Sequence, residues 1–406
     1  MIKYYGFGLL CLAMAITHCQ IESTQEDEVP EQLQSDFSEE QKALIEEIRR
    51  TDILEWTPEM QMLGYQQTHE VSPVRFLKPA NTPFHLPEAD HSIEEISYRF
   101  DGEDRSLDHY LNTMEVAGLL VIQEGEIKLE YYAAGHDEEK TWNSFSITKS
   151  VLSMLFGAAI ADGYIDSIED EVTTYLPELE GSGYEGVTLE NMLRMASGVK
   201  WNEDYTDPES DVAKLDHIHE TDAFVSYMAG LDRAHEPGTE FNYSTGEVNL
   251  AGVLLQEAVG RTLTDYADEK IWQGFGMEHT ASWSLIGEDA TEHGGCCISA
   301  TLRDYGRMGM MALEDGQNHQ EENLLPDQWM KQSLTPSPAN TDYGYLWWLQ
   351  DGNAFNGSGI FGQYLYVDPD QELIIALQST WEEATGGKLT EHRAAFIEGI
   401  KKAVSK

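Results

Sequence analysis

Apolar residues recur at helical spacing from Val151 to Ile160, which predicts a helix that ends near Gly163. Similar patterns predict helices at 38–50, 106–114, 168–176, 188–195, 221–228, 246–259, 301–312 and 390–403. Strands are predicted at 118–122, 126–132, 345–349, 361–368 and 373–378, the first two joined in a hairpin at Glu124-Gly125. Because strands come early and late and helices lie between them, we expect an α+β fold. In it, an antiparallel sheet is flanked by helices, and a mainly helical lobe is inserted at about 164–295.

The chain before this body divides into three predicted segments. Residues 1–18 have a positive start at Lys3 and a short apolar core, as in a signal peptide. Residues 19–45 predict an acidic linker, with a helix beginning near Ser38. Residues 46–94 are rich in proline and predict an irregular arm that wraps the main domain, at 95–406.

The four cysteines predict no disulfide framework. Cys19 follows the leader as in a bacterial lipoprotein, but His18 departs from the small residue expected before a lipidated cysteine. A lipid anchor at Cys19 and plain secretion therefore both stay open, and either gives a periplasmic or extracellular protein. Cys296 and Cys297 are adjacent, a spacing that rarely permits a disulfide, so we expect two small buried side chains.

Composition narrows the class of protein. The chain has 406 residues, of which 41% are hydrophobic, as expected of a globular protein. Its 73 acidic and 25 basic residues give a net charge of −48. Such a chain cannot neutralise phosphates, so nucleic acid is excluded as a partner, and docking on anionic lipid is disfavoured.

A serine and a lysine open the helix described first. Ser146 and Lys149 are three residues apart and therefore share one helix face. The lysine ammonium would lie beside the hydroxyl, and the free N–H groups of the helix start would favour a developing anion. This arrangement is typical of an activated serine nucleophile, although such a pair also arises by chance.

Two further segments offer what such a nucleophile needs. Tyr243 is expected in a turn before a helix, where a phenolate beside an ammonium would accept the serine proton. Gly357 and Gly359 enter a strand through a flexible segment that lets the backbone approach a ligand. The N–H of Ile360 could then pair with the N–H of Ser146 as an oxyanion hole.

Together these segments resemble a known family. The motifs Ser146-x-x-Lys149, Tyr243-Ser244-Thr245 and Gly357-Ser358-Gly359 follow the order found in serine β-lactamases and penicillin-binding proteins. Between about 95 and 400, further stretches resemble its class C-like branch, close to 6-aminohexanoate-dimer hydrolases and family esterases: Trp142-x-Ser144-Phe145-Ser146, Met195-x-Ser197-Gly198-Val199, Asn202-Glu203-Asp204-Tyr205, Phe241-x-Tyr243-Ser244-Thr245-Gly246 and Gly359-Ile360-Phe361-Gly362-Gln363.

The resemblance implies a β-lactamase/transpeptidase-like fold with its cleft between sheet and helical lobe. It implies Ser146 as nucleophile, Lys149 and Tyr243 as the proton-transfer pair, and the N–H groups of Ser146 and Ile360 as the oxyanion hole. A small ester or amide would acylate Ser146, and water would release the acyl group. No metal and no cofactor are implied, and the oligomeric state is not indicated.

Two departures from the family pattern bear on the substrate. Thr245 stands where class C enzymes have asparagine, and Gly357 stands where β-lactamases commonly have a lysine that meets the substrate carboxylate. Without that cation we expect poor binding of β-lactams and D-Ala-D-Ala ends, which favours an esterase or amidase. By analogy, the residues expected to contact substrate are Tyr205, Asp211, Thr245, His293, Ser358 and Gly359.

Two alternatives remain at this point. A β-lactamase or D-Ala-D-Ala carboxypeptidase would use the same nucleophile. A catalytically inactive binding or sensor module would keep the fold but lose one of Ser146, Lys149 or Tyr243, and all three are present.

Overall fold

The computed structural model describes residues 29–405, apart from positions 94 and 216. The predicted signal peptide and Cys19 lie outside the described residues. Within 29–405, no helix combines the length and the apolar character needed to cross a lipid bilayer.

The described chain contains α-helices and β-strands throughout. The helices are α1 (Glu39–Ile48), α2 (Pro58–Gln66), α3 (Thr68–Val71), α4 (Leu107–Thr113), α5 (Ile147–Ala161), α6 (Leu189–Leu193), α7 (Asp211–Leu215), α8 (Thr221–Ala229), α9 (Thr245–Val259), α10 (Leu263–Ala267), α11 (Leu302–Leu313), α12 (Trp329–Ser333) and α13 (Gly387–Val404). The strands are β1 (Val74–Leu77), β2 (Ser97–Phe100), β3 (Glu103–Ser106), β4 (Val116–Gln123), β5 (Glu126–Tyr132), β6 (Trp142–Asn143), β7 (Ala281–Ser284), β8 (Ile298–Ala300), β9 (Trp348–Leu349), β10 (Phe355–Ser358), β11 (Tyr364–Asp368) and β12 (Leu373–Ser379).

The main sheet has six antiparallel strands in the order β5-β4-β12-β11-β10-β9. Its first hairpin turns at Glu124-Gly125, where both residues have positive φ, 52° and 76°, as a tight hairpin turn requires. The early and late strands of the sequence thus pair in one sheet, and the predicted α+β class is confirmed.

Side chains along β4 alternate between two cores, because successive strand residues point to opposite faces. Leu119 and Val121 pack in one core with α4 and α13, where Phe396 is fully buried. Leu120 and Ile122 face the other core, which includes α5 and α11. The sheet is therefore covered by helices on both faces, and α5 runs through the larger core beneath the site.

Helices α6 to α10 lie between the two halves of the sheet in sequence, and α9 contacts α5, α6, α7, α8 and α10. The helix predicted at 168–176 is wrong, because only a 3-10 turn forms at Val172–Thr174. Pro177 disfavours helical geometry at Leu176, whose ψ is 82°, and the Val172 N–H donates to the carbonyl of Val187 instead.

The N-terminal arm is more regular than its proline content predicts. It holds α2, α3 and β1, and β1 forms the edge of a second antiparallel sheet in the order β1-β7-β8-β6. This second sheet was not predicted, because its strands are two to four residues long and show no alternation that could reveal them. Strand β6 leads directly into the nucleophile turn, so this sheet helps to place the site.

Candidate active site

Ser146 lies at the N-cap of α5, immediately after a strained turn. Phe145, just before it, has φ 47°, a left-handed conformation that non-glycine residues seldom adopt and that recurs at functional sites. The turn is held by the side chain of Asn143, which accepts from the Phe145 N–H at 2.9 Å, and by a 2.8 Å hydrogen bond between Ser144 and Thr148. Local hydrogen bonding therefore fixes the backbone on either side of the Ser146 hydroxyl.

Lys149 is one helical turn along α5 and is buried beside that hydroxyl. Its Nζ donates to Ser146 Oγ at 2.9 Å, to Thr245 Oγ1 at 3.1 Å and to the carbonyl of Gly295 at 2.7 Å. Burial lowers the pKa of Lys149 to about 8, although the charge of Glu203 opposes the change. A minor fraction of the amine is therefore neutral near pH 7, and this form can accept a proton from Ser146.

Tyr243 enters the site from the turn before α9, whose N-cap is Ser244. Its ring stacks on Trp348 at a centroid distance of 5.8 Å, and Lys149 Nζ lies 5.1 Å from the ring centroid. Burial, reinforced by the charge of Glu203, raises the pKa of Tyr243 well above its ordinary value, while hydrogen bonding with Ser146 lowers it only in part. The side chain is therefore a phenol that can donate a proton.

Glu203 connects these groups, and sequence reasoning gave it no role. Its carboxylate accepts from the Tyr205 hydroxyl at 2.7 Å and from the Thr245 N–H at 2.9 Å, and also from the Thr245 hydroxyl. Thr245 thus joins Lys149 to Glu203 by hydrogen bonds. The only signal in the sequence was an acidic residue within the Asn202-to-Tyr205 stretch.

Ile360 begins a short 3-10 turn, Ile360–Gly362, after β10, and lines the same cavity of about 430 Å³ as Ser146. Within the described chain, the N–H groups of Ser146 and Ile360 donate no hydrogen bond, so both are free for a ligand. Gln363 fixes this turn by donating from Nε2 to the carbonyls of Ile360, Phe361 and Ser379, at 3.2, 3.1 and 2.9 Å. These N–H groups can stabilise an oxyanion.

Comparison with known proteins agrees with this geometry. The family model "Beta-lactamase" matches residues 105–398. The chain belongs to the β-lactamase family. Its members include serine hydrolases, so the predicted enzyme class and family are confirmed.

Relatives within the β-lactamase family differ in the activities for which they are named. A 6-aminohexanoate-dimer hydrolase of Paenarthrobacter ureafaciens is 28% identical over 71% of this chain and 77% of its own. A β-lactamase of Pseudomonas fluorescens is 25% identical over 44% of this chain and 49% of its own. Among solved structures, a family VIII carboxylesterase aligns with a TM-score of 0.57 at 17% identity, over 73% of this chain and 95% of its own. A penicillin-binding protein of Bacillus halodurans aligns with a TM-score of 0.58 at 17% identity, over 72% of this chain and 99% of its own. These structures support the family fold.

The residues predicted to contact substrate in this β-lactamase-family chain take different places. Tyr205, Ser358 and Gly359 line the cavity, and Thr245 contacts Lys149. Asp211 lies elsewhere, because its carboxylate accepts from the Tyr227 hydroxyl at 2.6 Å and from the Asn202 N–H at 2.8 Å.

His293 lies behind Lys149 rather than in the cavity wall. Its Nδ1 is 3.4 Å from the amide nitrogen of Asn249, and burial lowers the pKa of His293 to about 4. The imidazole is therefore neutral at ordinary pH. Asn249 also accepts from the Gly295 N–H at 2.9 Å, so this pair supports the loop whose carbonyl receives Lys149.

The expectation for the adjacent cysteines is wrong. Cys296 and Cys297 are half-buried and joined by a disulfide. They follow Gly295 on the loop that contacts Lys149, and Cys297 has φ 78°. Spacing alone could not reveal this bond, because adjacent cysteines pair only rarely. Among the described residues, no group of histidine, cysteine, aspartate or glutamate side chains could hold a metal ion.

Proposed function

We propose that the protein hydrolyses small esters or amides through an acyl-enzyme on Ser146. The observation that carries the proposal is the hydrogen bond of 2.9 Å between Lys149 Nζ and Ser146 Oγ at the edge of a cavity. A lysine that is partly neutral near pH 7 can act as a base toward the serine hydroxyl, which its ammonium form cannot do.

In this mechanism Lys149 accepts the serine proton, whereas the sequence had suggested a Tyr243 phenolate for that step. The Ser146 proton passes to neutral Lys149 as Oγ attacks the substrate carbonyl carbon. The carbonyl oxygen becomes an oxyanion, held by the N–H groups of Ser146 and Ile360. Collapse breaks the ester or amide bond, and the leaving group takes a proton from the Tyr243 phenol, which regains one from Lys149. Water releases the acyl group by the reverse proton path.

The experiment is hydrolysis of p-nitrophenyl acetate and butyrate by the protein from residue 20 onward, beside Ser146→Ala. Turnover in the wild type that disappears in Ser146→Ala supports the proposal. If the folded wild type hydrolyses neither ester, labelling with a fluorophosphonate separates a strict amidase, which reacts, from an inactive binding module, which does not.

A β-lactamase or D-Ala-D-Ala carboxypeptidase is the second candidate, because one relative is a named β-lactamase. Gly357 weighs against it by placing no cation on β10. Turnover of nitrocefin at a rate comparable to that of the esters would favour this candidate, and its absence would favour the esterase or amidase.

We also propose that the enzyme is exported, on the basis of the leader at 1–18. Fractionation of expressing cells tests this, since a cytoplasmic product would contradict it. Comparison with Cys19→Ala tests the lipid anchor: release of the variant from membranes that retain the wild type supports an anchor, and identical distribution supports plain secretion.

A further inference from the structure

Two buried positive charges among the described residues of this acidic protein have no acidic partner. Four lysine and arginine side chains are buried among the described residues: Lys149, Arg194, Arg307 and Arg393. Arg194 and Arg307 form ion pairs with carboxylates. Lys149 and Arg393 form none within the described chain. Lys149 serves the nucleophile, which leaves Arg393 as a buried charge without an assigned role.

Arg393 lies on α13 and is held mainly by aromatic rings. Its guanidinium carbon is 3.8 Å from the ring centroid of Tyr364 and 5.1 Å from that of Trp381. Its polar contact is long, from Nη2 to Ser358 Oγ at 3.5 Å. Stacking engages the faces of a guanidinium and leaves its edge donors free. Within the described chain, no Arg393 side-chain nitrogen is both buried and unpartnered, so the donors that lack a protein partner are accessible from the cavity, where a ligand can complete their hydrogen bonds.

Those donors belong to the wall of the active-site cavity. Arg393, Ser358 and Ile360 line the cavity together with Ser146. Ser358 and Tyr364 are register partners across β10 and β11, so Arg393 sits against the strand pair that leads into the Ile360 turn. A substrate held at Ser146 therefore extends in a cavity that also contains a positive charge.

We infer that Arg393 binds a carboxylate of the substrate, so that the preferred substrates are esters or amides that carry a carboxylate away from the bond that is cleaved. A planar, bidentate donor suits this ligand, and the aromatic rings hold the donor in place. The inference rests on the proposed function for the site of cleavage. It also revises the argument from Gly357, because the cleft has its cation on the last helix instead of on β10.

Two matched substrate pairs test the inference with the full mature chain. The first compares 3-acetoxybenzoate with phenyl acetate and places the carboxylate on the leaving group. The second compares mono-p-nitrophenyl adipate with p-nitrophenyl hexanoate and places it on the acyl chain. In at least one of the two substrate pairs, kcat/KM of the wild type should be about 10- to 100-fold higher for the anionic member. This is the range expected of a hydrogen bond between charged groups. No preference in either pair would overturn the inference.

Substitution of Arg393 separates binding from structural support. Arg393→Gln should lower kcat/KM for the anionic member of the pair about 10- to 100-fold more than for the neutral member, while Arg393→Lys should retain part of the preference. Equal losses for both members of a pair would assign Arg393 a structural role only. Should Arg393→Gln not fold, Arg393→Lys provides the test, because an ammonium cannot form a bidentate pair: a preference as large as that of the wild type would contradict the inference.

A binding measurement distinguishes this inference from the proposed function. Calorimetric titration of 3-acetoxybenzoate and of adipate into Ser146→Ala, with and without Arg393→Gln, needs no turnover. Binding of at least one ligand that depends on Arg393 supports the inference even if the wild type proves inactive. Ser146-dependent hydrolysis without Arg393-dependent binding or preference would leave the proposed function standing and refute the inference.

Discussion

Tyr65 of the N-terminal arm packs edge-on against Phe145, the residue before Ser146, with ring centroids 5.1 Å apart and ring planes at 87°. It also contacts Phe361, the residue after Ile360, at 6.2 Å. Both Phe145 and Phe361 have positive φ. One fully buried side chain therefore supports both backbone turns that supply the N–H groups of the oxyanion hole.

Tyr65→Ala should lower the free energy of unfolding by about 3–5 kcal/mol, as expected for the loss of a large buried ring, and should also lower kcat. Tyr65→Phe should preserve stability and activity, because the buried hydroxyl has no hydrogen-bond partner among the described residues. Chemical denaturation and ester turnover measure both effects. Tyr164→Ala, at an exposed tyrosine, is the control, and a Tyr65→Ala variant that matches it would contradict the supporting role.

The activity should rise as pH rises through about 8. Burial lowers the pKa of Lys149 from 10.5 to about 8, so the neutral amine that accepts the serine proton predominates only above that pH. The profile of kcat/KM for an ester, corrected for spontaneous hydrolysis with Ser146→Ala, measures this. A fall in activity through the same range would mean that the ammonium is the active form.

Glu203→Gln should shift the rise of kcat/KM with pH to a lower pH. The negative charge of Glu203 raises the pKa of Lys149, so its removal lets burial lower the pKa further. The matched control is Glu209→Gln, at an exposed carboxylate of the same loop, which should leave the pH of this rise unchanged. If the rise in activity shifts to higher pH in Glu203→Gln, or shifts equally in both variants, Glu203 does not act on Lys149 by its charge.

Gly359→Ala should reduce kcat by about 100-fold or more, the effect of losing an oxyanion donor. A Cβ at Gly359 would lie 2.5 Å from the carbonyl oxygen of Ser144, so the strand end must move away from the nucleophile turn and carry the Ile360 N–H with it. Gly387→Ala is the control, because a Cβ there meets nothing within 4 Å. Comparable activity of the two variants would exclude a role for this close approach.

Sequence periodicity predicted the helices and strands in which buried apolar residues recur at regular spacing. The hairpin of β4 and β5 and the long helices α5, α9, α11 and α13 lie where the apolar pattern put them. The motifs also brought Ser146, Lys149 and Tyr243 to one site. These features are local or are carried by ordered motifs, so a single sequence is enough to find them.

The sequence could not predict which residues from distant parts of the chain meet at the site. Arg393 enters the cavity from the last helix, more than 240 residues after Ser146, and nothing in its neighbourhood marks it as a cleft residue. Tyr65 lies in an arm whose prolines suggested irregular chain, and its burial depends on aromatic partners from two distant segments, at 142–145 and at 361. Contacts of this kind arise from tertiary packing, which periodicity does not encode.

The arm also has an evolutionary consequence. The family match begins at residue 105, whereas Tyr65 and β1 precede it and still pack against the reactive turns and the second sheet. Substitutions in the arm can therefore alter turnover while every residue of the cleft stays the same. Two such enzymes with identical clefts would then diverge in catalytic efficiency, and a comparison restricted to the shared family region would miss the cause.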